Sequence, residues 1–493
     1  MQTRNGLRRR GAVGVLILAL GAGSVALVSM SSAPQPSAVA TAAPNLAAAS
    51  PANPLRLGTP GVASTQAIPS SVPTSAPPIR IGAVFPMTGD AGALAAASLR
   101  GVQIAADAIN AAGGVAGRPI VLDVRQLDSA SDADHVLAGL QAIGDAVVIG
   151  TYSSELSIPV SAAAAARGMV YWESGAVADR LTARDLPLVF RVGASGSNLG
   201  TNSADFAAAE LASRLGRAVT DLRIAIVHAD DDYATSVATA ADRTASALGM
   251  QVVAREQYHL AAPRFANLMR RLAASRPDVL ILASHIPDGI AFRRAMLKAG
   301  LQVGALIGTT MAECVPDFAT PLGRDVVGIF GSDRPAGGFD PESLSPDAYA
   351  VYETFEAGWE ASTAASGASE PPAPTSSWAT PSDSWELTGN SALEEALSGF
   401  TAAWALMHDV LPAASAQGSV DVASIAAAAR AIDLPAGSLP NGAGLRFSSD
   451  PSTLGQNERA IGMIWQWQAP DSDVVVWPQS FATGQIADVP LSR

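Results

Sequence analysis

Two adjacent hydroxyls, Ser153 and Ser154, close the short apolar run Val147–Gly150 and open a stretch of helical character. Serine hydroxyls beside the unpaired N–H groups of a helix start suit a carboxylate or another anion, and they equally suit a plain helix cap. His228-Ala-Asp-Asp-Asp232 sets a histidine beside three acids, which could hold a hard cation. Neighbours on one turn rarely converge on a single ion, so this stretch reads as a solvated loop. Cys314 is the only cysteine, which excludes an internal disulfide and any cysteine-based zinc or iron–sulfur site. It reads as a small buried apolar residue rather than a nucleophile. Lys298 is the only lysine among 31 basic residues, and between Leu297 and Ala299 it cannot serve a Gly-Lys-Ser/Thr phosphate loop. No G-x-S-x-G elbow, H-E-x-x-H pair or G-x-G-x-x-G fingerprint occurs. The expectation is a protein that is not an enzyme and carries no cofactor or metal.

The elements that must position these residues follow from the hydrophobic pattern. The chain has 493 residues, 48% hydrophobic and 15% charged, with a net charge of −13. That length suits two or three lobes, and the acidity argues against nucleic acid, which needs a basic footprint. From Pro78 onward short apolar runs alternate with helical patterns. The runs are Ile79–Phe85, Ala146–Ile149, Met169–Trp172, Leu222–Val227, Val279–Ala283, Ala305–Ile307 and Val326–Phe330. Most are continuous, as parallel strands covered on both faces require. Leu99, Val102, Ala106 and Ile109 recur at helical spacing before Gly113-Gly114, as do Phe265, Leu268 and Leu272 after Pro263. The fold class is α/β, with doubly wound sheets. Ser362–Asn390 is rich in Ser, Ala, Pro and Thr and reads as an inserted surface loop within the first lobe. Leu393, Leu397, Phe400, Trp404, Met407 and Leu411 then form one face of a long helix, and strand character returns at Gly444–Phe447, Ile461–Trp467 and Val474–Trp477.

The N-terminus points out of the cytoplasm. Arg4, Arg8, Arg9 and Arg10 precede the uncharged run Gly11–Met30, which fits a membrane anchor or a signal peptide. Ala38-Val-Ala-Thr-Ala42 would suit a signal peptidase, and no cysteine is placed to carry lipid. Residues 31–78 are rich in Ala, Pro, Ser and Thr, and read as a disordered linker.

The stretch Ile79–Gly114 (IRIGAVFPMTGDAGALAAASLRGVQIAADAINAAGG) resembles the opening of the branched-chain-amino-acid-type periplasmic binding proteins. Those are the type I solute receptors of ABC importers. Val147–Ser161, Gly168–Thr182, Phe190–Gly200, Arg223–Tyr233, Gly444–Ala460 and Met463–Trp467 continue the resemblance in order. It implies two α/β lobes joined by three hinge strands, with the solute between them. Carried over, the first lobe takes 79–191 plus 334–443 and the second 192–333 plus 455–493. The hinges fall near 191–195, 330–335 and 443–455.

The resemblance also implies a site. Ser154 matches the family serine that grips the ligand carboxylate, with Ser153 beside it. Gly175-Ala176-Val177 matches the loop whose backbone and threonine hydroxyl bind the same group, although Val177 replaces the threonine. Tyr233 matches a tyrosine that lies over the solute, and His285 stands at another aromatic contact. Thr310 occupies the position of the acid that pairs with the ligand ammonium. A buried ammonium without a carboxylate is costly. Either Glu313 or Glu155 substitutes, or the ligand is not a zwitterionic α-amino acid. The expected partners are a small polar solute and an ABC permease, with the protein a monomer. A membrane-tethered sensor or cell-wall scaffold on the same fold is the alternative.

Overall fold

In the computed structural model, residues 77–491 are described, except 89–90, 311, 336, 366–388 and 488. The N-terminal basic and apolar segment and most of the Ala/Pro/Ser-rich linker lie outside the described residues. All described residues belong to one compact unit, Val72–Arg493.

Continuous apolar runs become buried parallel strands, as their lack of polar alternation requires. Five parallel strands form the first sheet: β1 (Ile79–Phe85), β2 (Ile120–Gln126), β3 (Val147–Gly150), β4 (Val170–Glu173) and β5 (Val189–Arg191). Their order is β2-β1-β3-β4-β5, all parallel, with Ile79 opposite Ile120 and Val147 opposite Val170. The second sheet holds β6 (Arg223–Ala229), β7 (Gln251–Tyr258), β8 (Val279–Ala283), β9 (Ala305–Thr309), β10 (Phe330–Asp333), β11 (Met463–Ala469) and β12 (Ser472–Trp477). Its order is β12-β11-β10-β9-β8-β6-β7, and only the late-returning β11 and β12 pair antiparallel. Helices connect the parallel strands, so each sheet is the core of a doubly wound α/β lobe.

Several expectations need correction. Val326–Phe330 is not a strand: Gly323–Val326 is a 3-10 turn, and β10 begins only at Phe330. Gly444–Phe447 makes just two single bridges, Leu445 to Leu434 and Phe447 to Asn457. The long helix of Leu393–Leu411 is Gly389–Trp404, a π-turn at Ala405–Val410, then Leu411–Ala416. Ser362–Ala365 still belongs to the helix Pro346–Ala365, and Gly389 already opens the next one. The rest of that inserted segment lies outside the described residues. The helices Gly92–Ala111 and Gly389–Trp404 touch through glycines. A Cβ at Gly101 would sit 1.9 Å from Ala396 O, and one at Gly399 2.0 Å from Ser98 O.

Candidate functional site: a cleft between two lobes

In doubly wound sheets the loops at the carboxyl ends of the strands collect ligands. Here the ends of β3 and β4 face those of β6, β8 and β9 across a cleft of about 890 Å³. Ser153, Ser154, Gly175, Ala176, Val177, Tyr233, His285 and Thr310 all line it. Three lining residues, Tyr152 (φ 72°), Ser153 (φ 66°) and Thr310 (φ 58°), have left-handed backbone that side chains with a Cβ rarely adopt. Such strain concentrates at functional sites.

On the first wall, Ser153 rather than Ser154 caps the helix Ser154–Ala166: its Oγ accepts from Leu156 N–H at 3.4 Å. Ser154 Oγ accepts from Ala178 N–H at 3.1 Å, tying the helix start to the loop after β4. That loop is organised from beneath by Glu173, which is fully buried. Its carboxylate accepts the N–H groups of Gly175 and Ala176, each at 2.8 Å, and the Tyr171 hydroxyl at 3.0 Å. Burial raises the Glu173 pKa, against the pull of these donors. Two N–H groups of the loop whose backbone was expected to face a ligand carboxylate are thus spent on the protein's own. Val177 is buried among apolar side chains.

On the second wall, β6 runs into Asp230-Asp231 and the helix Asp232–Ala247, capped by Asp231 through Ala234 N–H at 2.8 Å. Tyr233 is 5% exposed. Its hydroxyl lies 2.9 Å from both Ser284 O and Thr309 O, so it bonds within its own lobe and presents only ring to the cleft. His285 packs edge-on against that ring at 5.1 Å and caps the helix Ile286–Ala299, its N–H donating to Asp288 at 3.1 Å. Thr310 N–H donates to Ser332 O at 2.8 Å. Glu313 does not replace the acid missing at Thr310. It is fully buried behind the wall and accepts from Ser284 Oγ at 3.2 Å, and burial pushes its pKa to about 8. Glu155 does line the cleft, on the first wall.

At the floor sits a cluster that the sequence does not announce. Arg334, just past β10, is 5% exposed. It donates to Gly175 O at 2.8 Å and to Glu395 at 3.1 Å, with Glu394 and Asp333 each 3.6 Å away. Tyr152 donates to the same Glu395 at 2.9 Å. Burial and the Asp333 carboxylate hold Glu394 well above the usual carboxylate range. Arg334 therefore joins the crossing out of β10 to the loop that carries Gly175. Its place at the foot of a predicted hinge was the one available signal.

The acids of His228–Asp232 diverge. Asp230 pairs with His259, Asp231 caps a helix, and Asp232 pairs with Arg180 at 3.0 Å. Among the described residues no group could hold a metal ion, and no helix is long and apolar enough to cross a membrane. Cys314 is buried, which pushes its thiol pKa up and leaves it inert.

The comparisons with known proteins agree with this architecture. A family model described as periplasmic binding protein matches residues 78–367. The Leu/Ile/Val-binding protein homolog 8 of Brucella abortus is 28% identical over 410 residues, covering 83% of this chain and 92% of the relative. Homolog 7 of Brucella suis is 27% identical over 411 residues, covering 83% and 93%. Among solved structures, the branched-chain amino acid transporter substrate-binding protein LivJ of Streptococcus pneumoniae, in complex with isoleucine, superposes with a TM-score of 0.59 at 18% identity, covering 81% of this chain and all of its own. The leucine-binding protein LivK of Thermotoga maritima gives 0.59 at 17% identity, covering 81% and 97%. With two doubly wound lobes around a cleft and a family match over most of the folded part, this chain belongs to the type I periplasmic binding proteins of the branched-chain amino acid family.

Proposed function

We propose that the protein is the extracytoplasmic solute receptor of an ABC importer, capturing an amino acid or a related carboxylate or amide and delivering it to a permease. The observation that carries this reading is the convergence of eight residues, drawn from both lobes, on one cleft of about 890 Å³. A cleft of that size accommodates a small solute with water. The Ser154 hydroxyl on the first wall would take the solute in the open form. Tyr233, His285 and Thr310 would then close over it as residues 191–195, 330–335 and 443–455 bend between lobes 79–191 plus 334–443 and 192–333 plus 455–493. Closure is driven only by contacts that the solute gains in the closed state. The N-terminal segment would export the chain, or export and tether it, and the protein would act as a monomer.

The test is a thermal-unfolding screen of the secreted chain with amino acids, amides, short carboxylates and sugars. A solute at ~1,000 times its dissociation constant adds ~4 kcal/mol, which moves the midpoint by several degrees. Ser154→Ala should lower affinity about tenfold, the worth of one hydrogen bond to a charged group. If no compound moves the midpoint, the receptor reading falls and a tethered sensor or scaffold takes its place.

A further inference from the structure

One loop of the first lobe finishes a helix of the second. We infer that Val177 and Asp179, in the loop after β4, form a latch between the lobes, and that this latch holds the cleft walls together before any solute arrives. It needs only the lobe movement proposed above, not a particular solute.

The helix Gly196–Phe206 follows β5 and packs against the helix Asp232–Ala247 of the second lobe, where a Cβ at Gly200 would lie 2.1 Å from Val237 O. Like every helix it begins with N–H groups that lack a partner within the helix. Ser195 Oγ accepts from Asn198 N–H at 3.1 Å, a cap from its own segment. The two N–H groups before it go to the first lobe. Val177 O accepts from Gly196 N–H at 2.6 Å, and Asp179 accepts from Ser197 N–H at 2.9 Å and from Ser197 Oγ at 2.6 Å. A carboxylate at this place also meets the positive end of the helix. Asp179 N–H donates in turn to Ser236 Oγ at 3.0 Å, inside the helix Asp232–Ala247. Arg180 reaches Asp232 at 3.0 Å, but that pair is exposed and adds little.

Val177 lines the cleft from the first wall and Asp232 from the second, so the latch lies where the two walls meet. Bonds that span two walls lengthen when the walls part, so they favour the apposed arrangement. The loop cannot yield by following the second lobe, because the rest of its backbone is tied elsewhere. Its Ala178 N–H donates to Ser154 at 3.1 Å. Arg191, at the first predicted hinge, donates to Ala178 O at 2.7 Å, and Arg334, at the second, to Gly175 O at 2.8 Å. Cleft wall, two hinges and the helix of the other lobe thus converge on five residues.

The experiment measures the distance between the lobes in the secreted protein without solute, by pulsed electron spin resonance. Spin labels go on His135→Cys and Asn267→Cys, exposed positions on the helices Ala133–Ala142 and Phe265–Ser275 of opposite lobes, while the buried Cys314 takes no label. Asp179→Ala should raise the ratio of separated to apposed lobes about fivefold, the factor that loss of one helix cap carries. Asp179→Asn keeps an acceptor oxygen and should recover most of the wild-type ratio. Asp421 caps the helix Val422–Ala431 within the first lobe, accepting from Ser424 N–H at 2.8 Å, so Asp421→Ala is the matched control and should leave the distance unchanged. An unchanged or shorter distance in Asp179→Ala overturns the latch, as does an equal shift in Asp421→Ala. A binder in the thermal screen beside an unmoved distance removes the latch and leaves the receptor. A lengthened distance with no binder keeps the latch and removes the receptor.

Discussion

Behind each wall of the cleft lies one fully buried glutamate, and the two are treated differently. Glu173 accepts two backbone N–H groups and a tyrosine hydroxyl. Glu313 accepts one serine hydroxyl, and burial holds its pKa at about 8. The first glutamate shapes a loop: remove it and the Gly175–Val177 backbone loses what folds it. The second is a neutral polar group filling space under β9, close enough that a Cβ on Gly308 would overlap it at 2.1 Å. A buried carboxylate supplied with donors organises backbone, whereas one with few donors keeps its proton and couples its lobe to pH.

The sharpest test of this contrast is Glu173→Ala. It strands the buried Ala176 N–H and the half-buried Gly175 N–H and should cost about 2 kcal/mol in urea unfolding, with loss of solute binding. A loss below about 1 kcal/mol would mean the loop holds its shape unaided. Next comes the pH profile. In the fold Glu313 keeps its proton to about pH 8, against an ordinary value of 4.5. The stability it contributes is complete below pH 4.5 and is lost as pH rises to about 8. Glu313→Gln should therefore show a flatter melting temperature from pH 5 to 8 than wild type. Asp145, which burial and the Asp123 carboxylate raise to about 7, adds a similar slope from the first lobe. Subtracting the two profiles cancels it. Parallel profiles would show that Glu313 is ionised throughout. The smallest effect belongs to Tyr233→Phe, which removes a hydroxyl bonded inside the second lobe. It should cost about 1 kcal/mol of stability and leave solute affinity nearly unchanged, while Tyr233→Ala weakens binding. Equal loss of affinity in both variants would place the hydroxyl, not the ring, on the solute.

Much of the framework was legible because burial on both faces writes a continuous apolar run. Ile79–Phe85 and Val279–Ala283 are strands with the predicted limits. The edge strands β2 and β7 were not legible. Asp123 and Arg125 in one, and Arg255 and Glu256 in the other, interrupt the pattern where a strand has one neighbour and water on its far side. The site divides in the same way. Ser153-Ser154 after a buried run announced a helix start at a strand end, and the resemblance supplied the remaining positions of the cleft.

Local pattern thus determined the strand–helix alternation and the doubly wound class, since each depends on neighbours in the chain. Only the tertiary structure decided which charges are buried and what answers them. Glu173 and Glu313 look like surface residues in isolation. Arg334 meets Glu395 across 61 residues, and Tyr152 meets the same carboxylate across 243. The state of a buried charge depends on desolvation and on donors brought from distant segments, and neither quantity exists until the chain has folded.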